Sequence, residues 1–371
     1  MEEIKIKYFG LYLSKKHFLI VYSIYILITL LLFIYFTNYP LNKEKIPFLQ
    51  PFLSNYFNYF FVIILLSSTI ERQLFWNEYA KKQVQKIETL KLEVEIKSEE
   101  INSSIRYASR IQKALLTSEM YLQWSFSKSL MRPTQLIEST DYFIFFKPKD
   151  IVSGDFYWAR NNMGYSAKEG QFQTLFIACC DSTGHGVPGA FMSLLNISFL
   201  NESLNYYHQS KKPDEILNNV RTNVVNALNP DGGTESKDGM DAVLFEIDFN
   251  TNMLYASCAN NPLWIIAEGK LVEIKPDKMP VGYHDKMNTP FTLHSRQLNK
   301  GDTVYTFTDG YADQFGGSNN KKFKYSQLKD LIMKIYMKPL KEQKEILQTT
   351  FENWKGEEEQ VDDVLIIGVR I

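Results

Sequence analysis

The stretch CCDSTGHGVPGAFMS, Cys179 to Ser193, decides how the rest of the chain is read. An apolar run, Leu175 to Cys180, leads into it, and a second, Ala190 to Leu195, leads out. Between them lie Asp181, Ser182, Thr183 and His185, set among Gly184, Gly186, Pro188 and Gly189. Glycine permits backbone conformations that a Cβ forbids. The pattern therefore predicts a buried strand, a tight turn that presents an acid and an imidazole, and a second buried element. Such groups between two buried elements leave three chemistries to weigh: a metal enzyme, a protease, or neither.

Working outward, short apolar runs separated by turn signals follow Pro133: DYFIFFKP, TLFIACCD, DAVLFEID, MLYASCA, LWIIAEG, DTVYTFTDG and DDVLIIGVRI. Helical patterns intervene at Ala190–Tyr207, Pro213–Leu228, Tyr325–Met333 and Leu340–Trp354. Strands with helices set between groups of them predict an α+β domain, two-layered or sandwiched. Gly316 and Gly317, with Ser318, Asn319 and Asn320, read as a flexible loop.

Acids recur where strands meet turns. Asp155 follows IVSG, Asp181 ends TLFIACC, Asp309 ends TVYTFT, and Asp362 and Asp363 open VLIIGVRI. One such acid is ordinary turn chemistry, because Asp bonds its own backbone there. A set of them on one sheet edge converges, and converging carboxylates repel unless cations neutralise them. Carboxylates without thiolates are hard oxygen ligands that select Mg2+ or Mn2+ over zinc. Two such ions lower the pKa of a shared water to about 7 and neutralise a transferring phosphoryl group. The acids thus point to metal-assisted phosphoester hydrolysis.

Composition agrees with a folded chain. Hydrophobic residues are 45% and charged residues 22% of 371, which excludes global disorder. The net charge of −1 gives no reason to expect a nucleic-acid partner. Cys179 and Cys180 are adjacent and Cys258 is odd, so no disulfide framework or zinc spacing arises, and buried reduced thiols are expected.

The N-terminus differs. His17 to Phe36, HFLIVYSIYILITLLLFIYF, is uncharged and long enough to cross a bilayer. Phe52 to Ile70 is a second, weaker run, interrupted by Asn55 and Asn58. Lys5, Lys7, Lys15 and Lys16 precede the pair, and Arg72, Lys81 and Lys82 follow it. The positive-inside rule then puts both ends in the cytoplasm, as a multi-pass protein of the inner membrane. From Asn77 to about Ser118 the chain lacks Gly and Pro and reads as one helix. Ile87, Val94, Ile101, Ala108 and Leu115 recur every seventh residue, with Leu90 and Ile111 in a second row. This is an imperfect heptad seam, broken at Lys97 and Ser104, and it predicts a homodimeric, coiled-coil-like stalk. The expected organisation is a membrane hairpin over 1–70, a helical stalk over 71–125 and a catalytic domain over 130–371.

VSGDFYWA, DSTGHGVPGAFMS, TFTDGYAD and VDDVLIIGV, in this order, resemble the motifs of PPM-type (PP2C-like) serine/threonine phosphatases. The branch is that of the bacterial sporulation and stress-response regulators, the SpoIIE/RsbU-like family. The similarity covers about Asp141 to Ile371, and YASRIQKALL resembles the family's lead-in helix. The resemblance implies an αββα sandwich with two Mn2+ or Mg2+ ions at one end. Carried over by motif, Asp181 bridges both ions and Ser182 offers its backbone carbonyl. Asp309 and Asp362 hold the second ion, and Asp155 binds the first directly or through water. Asp363 competes with Asp362, since one sequence does not fix a one-residue register. Ser182 stands where eukaryotic members have glycine. The implied substrate is a phosphorylated regulatory protein, such as an anti-sigma-factor antagonist.

Other residues carry alternatives. His185 is either a general acid for the leaving serine oxygen or a binding residue of the turn. Asp238 and Asp241 read as turn residues rather than as further acids of the centre. Lys149 and Arg160, flanking SGD, are the candidates for phosphate binding, and Asn260, Asn261 and Pro262 fit a tight turn. DSTGHG also matches the histidine segment of subtilisin-like proteases, but no serine in a small-residue loop follows it. A non-catalytic membrane-tethered scaffold is the remaining rival.

Overall fold

A computed structural model describes residues 5–8, 11–14, eight helical residues between 23 and 34, and 49–129, 141–166, 170–205, 212–229 and 236–371. The chain divides into two compact units, Met1–Glu95 and Ile96–Ile371.

In the first unit, strands β1 (Lys5–Tyr8) and β2 (Leu11–Ser14) form an antiparallel hairpin with Lys5 opposite Ser14. Helix α1 runs Leu49–Leu115. It therefore begins well before the predicted Asn77 and takes in the second apolar run as helix. Among the described residues no helix is long and apolar enough to cross a membrane. Most of the first predicted span, and many side chains of the second, lie outside the described residues.

The second unit holds two antiparallel sheets. The first orders its strands β11 (His294–Gln297), β7 (Met253–Ala259), β6 (Gly239–Asp248), β5 (Gly170–Ser182) and β4 (Asp155–Ser166), with β10 (Val281–Gly282) also on β6. The second runs β3 (Tyr142–Lys147), β15 (Val364–Arg370), β12 (Thr303–Phe307), β8 (Leu263–Ala267) and β9 (Lys270–Ile274). Strand alternation explains the layers, since successive side chains point to opposite faces. Leu175, Ile177 and Cys179 of β5 meet Val304, Leu365 and Ile367 of the other sheet in one core between the sheets. Phe176, Ala178 and Cys180 point the other way, onto α3 (Gly186–Asn205) and α4 (Pro213–Leu228). Tyr305, Phe307 and Ile366 likewise pack on α5 (Lys324–Ile335) and α6 (Leu340–Lys355). The result is helices, sheet, sheet, helices, the expected sandwich. The adjacent cysteines face opposite layers, and all three thiols are free and buried.

Several elements depart from the reading of the sequence. A short helix α2 (Glu119–Ser129) follows α1, and its Leu122 and Phe126 enter the inter-sheet core. β9, β11 and most of β4 were not legible, because mixed polar and apolar residues carry little strand signal there. Gly316 and Gly317 do not form a loose loop. β13 (Phe315–Gly316) pairs with β14 (Lys321–Lys322), and a Cβ on Gly316 would lie 1.8 Å from the carbonyl oxygen of Trp354. Both glycines are there for close packing. Pro133, the expected boundary, lies outside the described residues.

Candidate active site

Backbone register builds the site. β4 pairs with β5 so that Asp155 stands opposite Asp181, and β5 pairs with β6 so that Asp181 stands opposite Asp241. The acids thus form one row across three strands at one end of the first sheet. The second sheet brings up Asp309, after β12, and Asp362, before β15. The hydroxyl of Thr308, next to Asp309, donates to Asp155 Oδ2 at 2.6 Å and so ties the two sheets together at this end. Gly310 sits against the start of β15. A Cβ there would lie 2.0 Å from the Asp363 carbonyl oxygen and 3.3 Å from Asp362 Cβ. Only glycine lets these two strand ends close up.

Electrostatics reports the same convergence. Burial pushes the Asp155 carboxyl well above its usual range, with the charge of Asp181 next and that of Asp363 also contributing. Burial raises Asp181 likewise, followed by Asp309, Asp241 and Asp362. Asp309 is pushed up to about 6, by burial first and then by Asp362, Asp313 and Asp241. Burial also raises Asp241, whose Oδ1 accepts from Asn260 Nδ2 at 2.8 Å. Massed carboxylates with raised pKa values in one cleft are a site in want of positive charge.

The profile of the stage II sporulation protein E (SpoIIE) family matches residues 172–371, more than half of the chain. The chain belongs to the SpoIIE family. No curated protein matches it. The SiaA PP2C domain of Pseudomonas aeruginosa superposes with a TM-score of 0.60 at 28% identity, over 74% of this chain and 98% of that one. The PP2C phosphatase domain of SpoIIE from Bacillus subtilis, with a fragment of its regulatory domain, gives 0.49 at 18% identity over 62% of each chain. As a SpoIIE-family chain homologous to PPM-type phosphatases, the protein is a phosphoprotein phosphatase.

Within this SpoIIE-family site, Asp362 and Asp363 have different surroundings. Asp363 is buried and spends both oxygens on backbone donors, Lys149 N at 2.7 Å and Gly154 N at 2.8 Å. Its carboxylate shapes the turn before β4. Asp362 is half-buried, and its Oδ1 accepts from Asp363 N at 2.9 Å. Ser182 is buried; its hydroxyl accepts from Asn196 Nδ2 at 3.1 Å, and its carbonyl oxygen lies 3.0 Å from where a Cβ on Gly154 would be. Gly184 and Gly186 have φ of 85° and 63°, the left-handed conformations the motif requires. The turn they form presents His185 at the surface, with Nδ1 3.3 Å from Asp150 Oδ2 and Nε2 3.4 Å from Lys149 Nζ.

Lys149 therefore stands beside the histidine, whereas Arg160 is directed at Asn201 Oδ1, 3.2 Å away, on α3. Asp238 is a turn residue as read, bonded to Ser236 Oγ at 2.9 Å. Asp241 is not: strand register sets it in the acid row. Sequence reasoning also missed Thr308, Asp150 and Gln112. Gln112, near the end of α1, is buried and accepts from Ser153 N at 3.1 Å while donating to Ser193 Oγ at 2.8 Å. A lone glutamine on the buried face of YASRIQKALL was the available signal.

Proposed function

We propose that the chain is a metal-dependent phosphatase that hydrolyses phosphoserine and phosphothreonine on a regulatory protein. The supporting observation is the convergence of Asp155, Asp181, Asp309 and Asp362 from separate elements at one end of the sandwich, with Asp155 buried and the other three half-buried. An all-oxygen, strongly anionic donor set suits a pair of hard divalent ions, Mn2+ or Mg2+. Among the described residues no three His, Cys, Asp or Glu side chains by themselves make a site that could hold an ion. The Ser182 carbonyl and water would complete the coordination, as Mg2+ in particular retains water.

When bound, the ions supply a hydroxide nucleophile at neutral pH and a counter-charge for the phosphoryl oxygens. The remaining work falls to the chain. Asp181 would bridge the two cation positions, Asp155 would serve one, and Asp309 and Asp362 the other. Thr308 orients Asp155, and Asp363 holds the turn that carries it. Asp150 faces His185 Nδ1 and would steady the protonated ring, whose Nε2 would then give its proton to the leaving serine oxygen. Lys149 beside it would meet the phosphoryl group.

The test is hydrolysis of p-nitrophenyl phosphate and of a phosphoserine peptide by the full chain, with Mn2+, with EDTA, and as Asp181→Asn. Turnover that needs Mn2+ and disappears in EDTA and in the variant supports the reading. A folded chain without turnover would leave a scaffold, and peptide-bond cleavage insensitive to EDTA would mean a protease.

We further propose a membrane-anchored homodimer of the cytoplasmic membrane with the phosphatase domain in the cytoplasm. Its support is the two apolar runs, the lysines flanking them, and the seam. Ile87, Leu90, Val94, Ile101, Ile111 and Leu115 are all exposed on the single chain, as a helix awaiting its twin requires. The contact of Gln112 with Ser153 offers a route from stalk to site. By family membership, the substrate class is a phosphorylated protein of a partner-switching pathway. Val94→Asp with Ile101→Asp should give a monomer or altered turnover in sedimentation and activity assays. A double variant that stays dimeric and equally active removes the stalk from the account.

A further inference from the structure

A cavity of about 360 Å3 lies between α4 and the segment after β10, lined by Asn218, Arg221, Thr222, Asn226, Met287 and Asn288 among others. None of its lining residues is acidic. Arg221 is 7% exposed, and among the described residues no carboxylate is in salt-bridge contact with it, which is rare for so buried a cation. Among the described residues its guanidinium has only neutral acceptors: Met279 Sδ at 3.6 Å, Asn218 Oδ1 at 2.8 Å and the Thr289 carbonyl at 2.9 Å. One of these is a thioether, a weak acceptor, and a guanidinium carries more N–H donors than these contacts use. The acid whose charge reaches it, Asp277, spends its oxygens on Thr292, on N at 2.7 Å and on Oγ1 at 2.9 Å. The guanidinium is also stacked 4.7 Å over the Phe291 ring, which holds it in place.

We propose that this cavity binds a small oxyanion, a carboxylate or a phosphate group, through Arg221. A buried guanidinium normally touches a carboxylate, and here the charge of Asp277 acts on Arg221 without a hydrogen bond between them. The neutral contacts take both N–H groups of Nη2 and one of Nη1, so the Nε–H and the second Nη1–H, held by the aromatic face, are the donors left for an anion. Asn218, Asn226 and Asn288 line the cavity with neutral carboxamides and add no competing charge. The volume sits at the small end of ligand sites, so it suits a single small anion or one acidic side chain.

The test needs no turnover. The full chain is melted in EDTA at constant ionic strength, with sodium phosphate, with N-acetyl-aspartate amide, or with sodium chloride alone. Phosphate represents a free anion, and the blocked aspartate represents a side chain of a bound protein. Either one, saturating, should raise the melting temperature by roughly 5 °C over chloride. Asn288→Asp and Asn226→Asp, at exposed positions of the lining, add a tethered carboxylate to the cavity that Arg221 lines. They should abolish the response while holding or raising the melting temperature without anion. Arg221→Gln should also lose the response. If neither anion shifts the wild-type melt, or if the aspartate variants respond as the wild type does, Arg221 is a packing residue and the proposal is wrong.

Discussion

Substituting Asp309 by asparagine should make the metal-free protein more stable, although it removes a residue proposed to hold an ion. The Asp309 carboxyl is pushed from an ordinary 3.8 up to about 6, chiefly by burial and then by the charges of Asp362, Asp313 and Asp241. A folded-state pKa above the unfolded one means that the folded state favours the protonated acid. That favourable contribution is complete below about pH 4 and is lost as pH rises through 6. A tenfold change in proton affinity corresponds to about 1.4 kcal/mol, so at pH 7.5 the ionised carboxylate costs the metal-free fold up to about 3 kcal/mol. Asparagine keeps the shape and carries no charge. For a unit of this size, relief of that order raises the melting temperature by roughly 5–10 °C. The assay is thermal unfolding in EDTA across pH 5 to 8, for wild type and Asp309→Asn. The gap should open between about pH 4 and 6, with roughly half of it present at pH 5 and nearly all of it at pH 7. Added Mn2+ should reverse the order, because the wild type gains the binding energy and the variant gains less. If Asp309→Asn melts at or below the wild type in EDTA at pH 7.5, the carboxylates are not packed against one another and the reading of the cleft fails.

Other outcomes follow from particular contacts. Gly310→Ala should fold yet need far more Mn2+ for turnover, because its Cβ would meet the Asp363 carbonyl at 2.0 Å and force the two acidic strand ends apart; a metal titration of activity measures this. Asp363→Ala leaves Lys149 N and Gly154 N without their acceptor and should cost about 2–4 kcal/mol in urea unfolding. Lys212→Met strips the 3.0 Å partner from fully buried Glu246 and should cost about 3–5 kcal/mol at neutral pH. That cost should shrink on mild acidification, since burial already raises the Glu246 carboxyl, and Glu246→Gln in the same chain should recover most of it.

The ingredients of both fold and site could be read without coordinates where local pattern carries them. β5 and β12 are apolar runs ending in acid and glycine. α4 follows Pro213 with an apolar face, and it spans Pro213–Leu228 as read. The turn glycines announced positive φ. What could not be read is set by register and by distant contact. DGMDAVLF does not say whether Asp241 lies in a turn or on a strand; its pairing opposite Asp181 does. DD does not say which acid is free; the backbone donors at Lys149 and Gly154, more than two hundred positions away, claim Asp363.

Taken alone, the sequence determined which segments must be buried, where the chain must turn, and which hard oxygen donors stand at the strand ends. These properties depend on residues close to one another in the chain. The tertiary structure decided which acids share a cleft and which one is consumed as a structural anchor. It also placed a buried guanidinium, out of salt-bridge contact with any carboxylate among the described residues, beside a cavity. Sheet pairing and layer packing bring distant residues together, and a carboxylate or a guanidinium acquires its chemistry from what it is packed against.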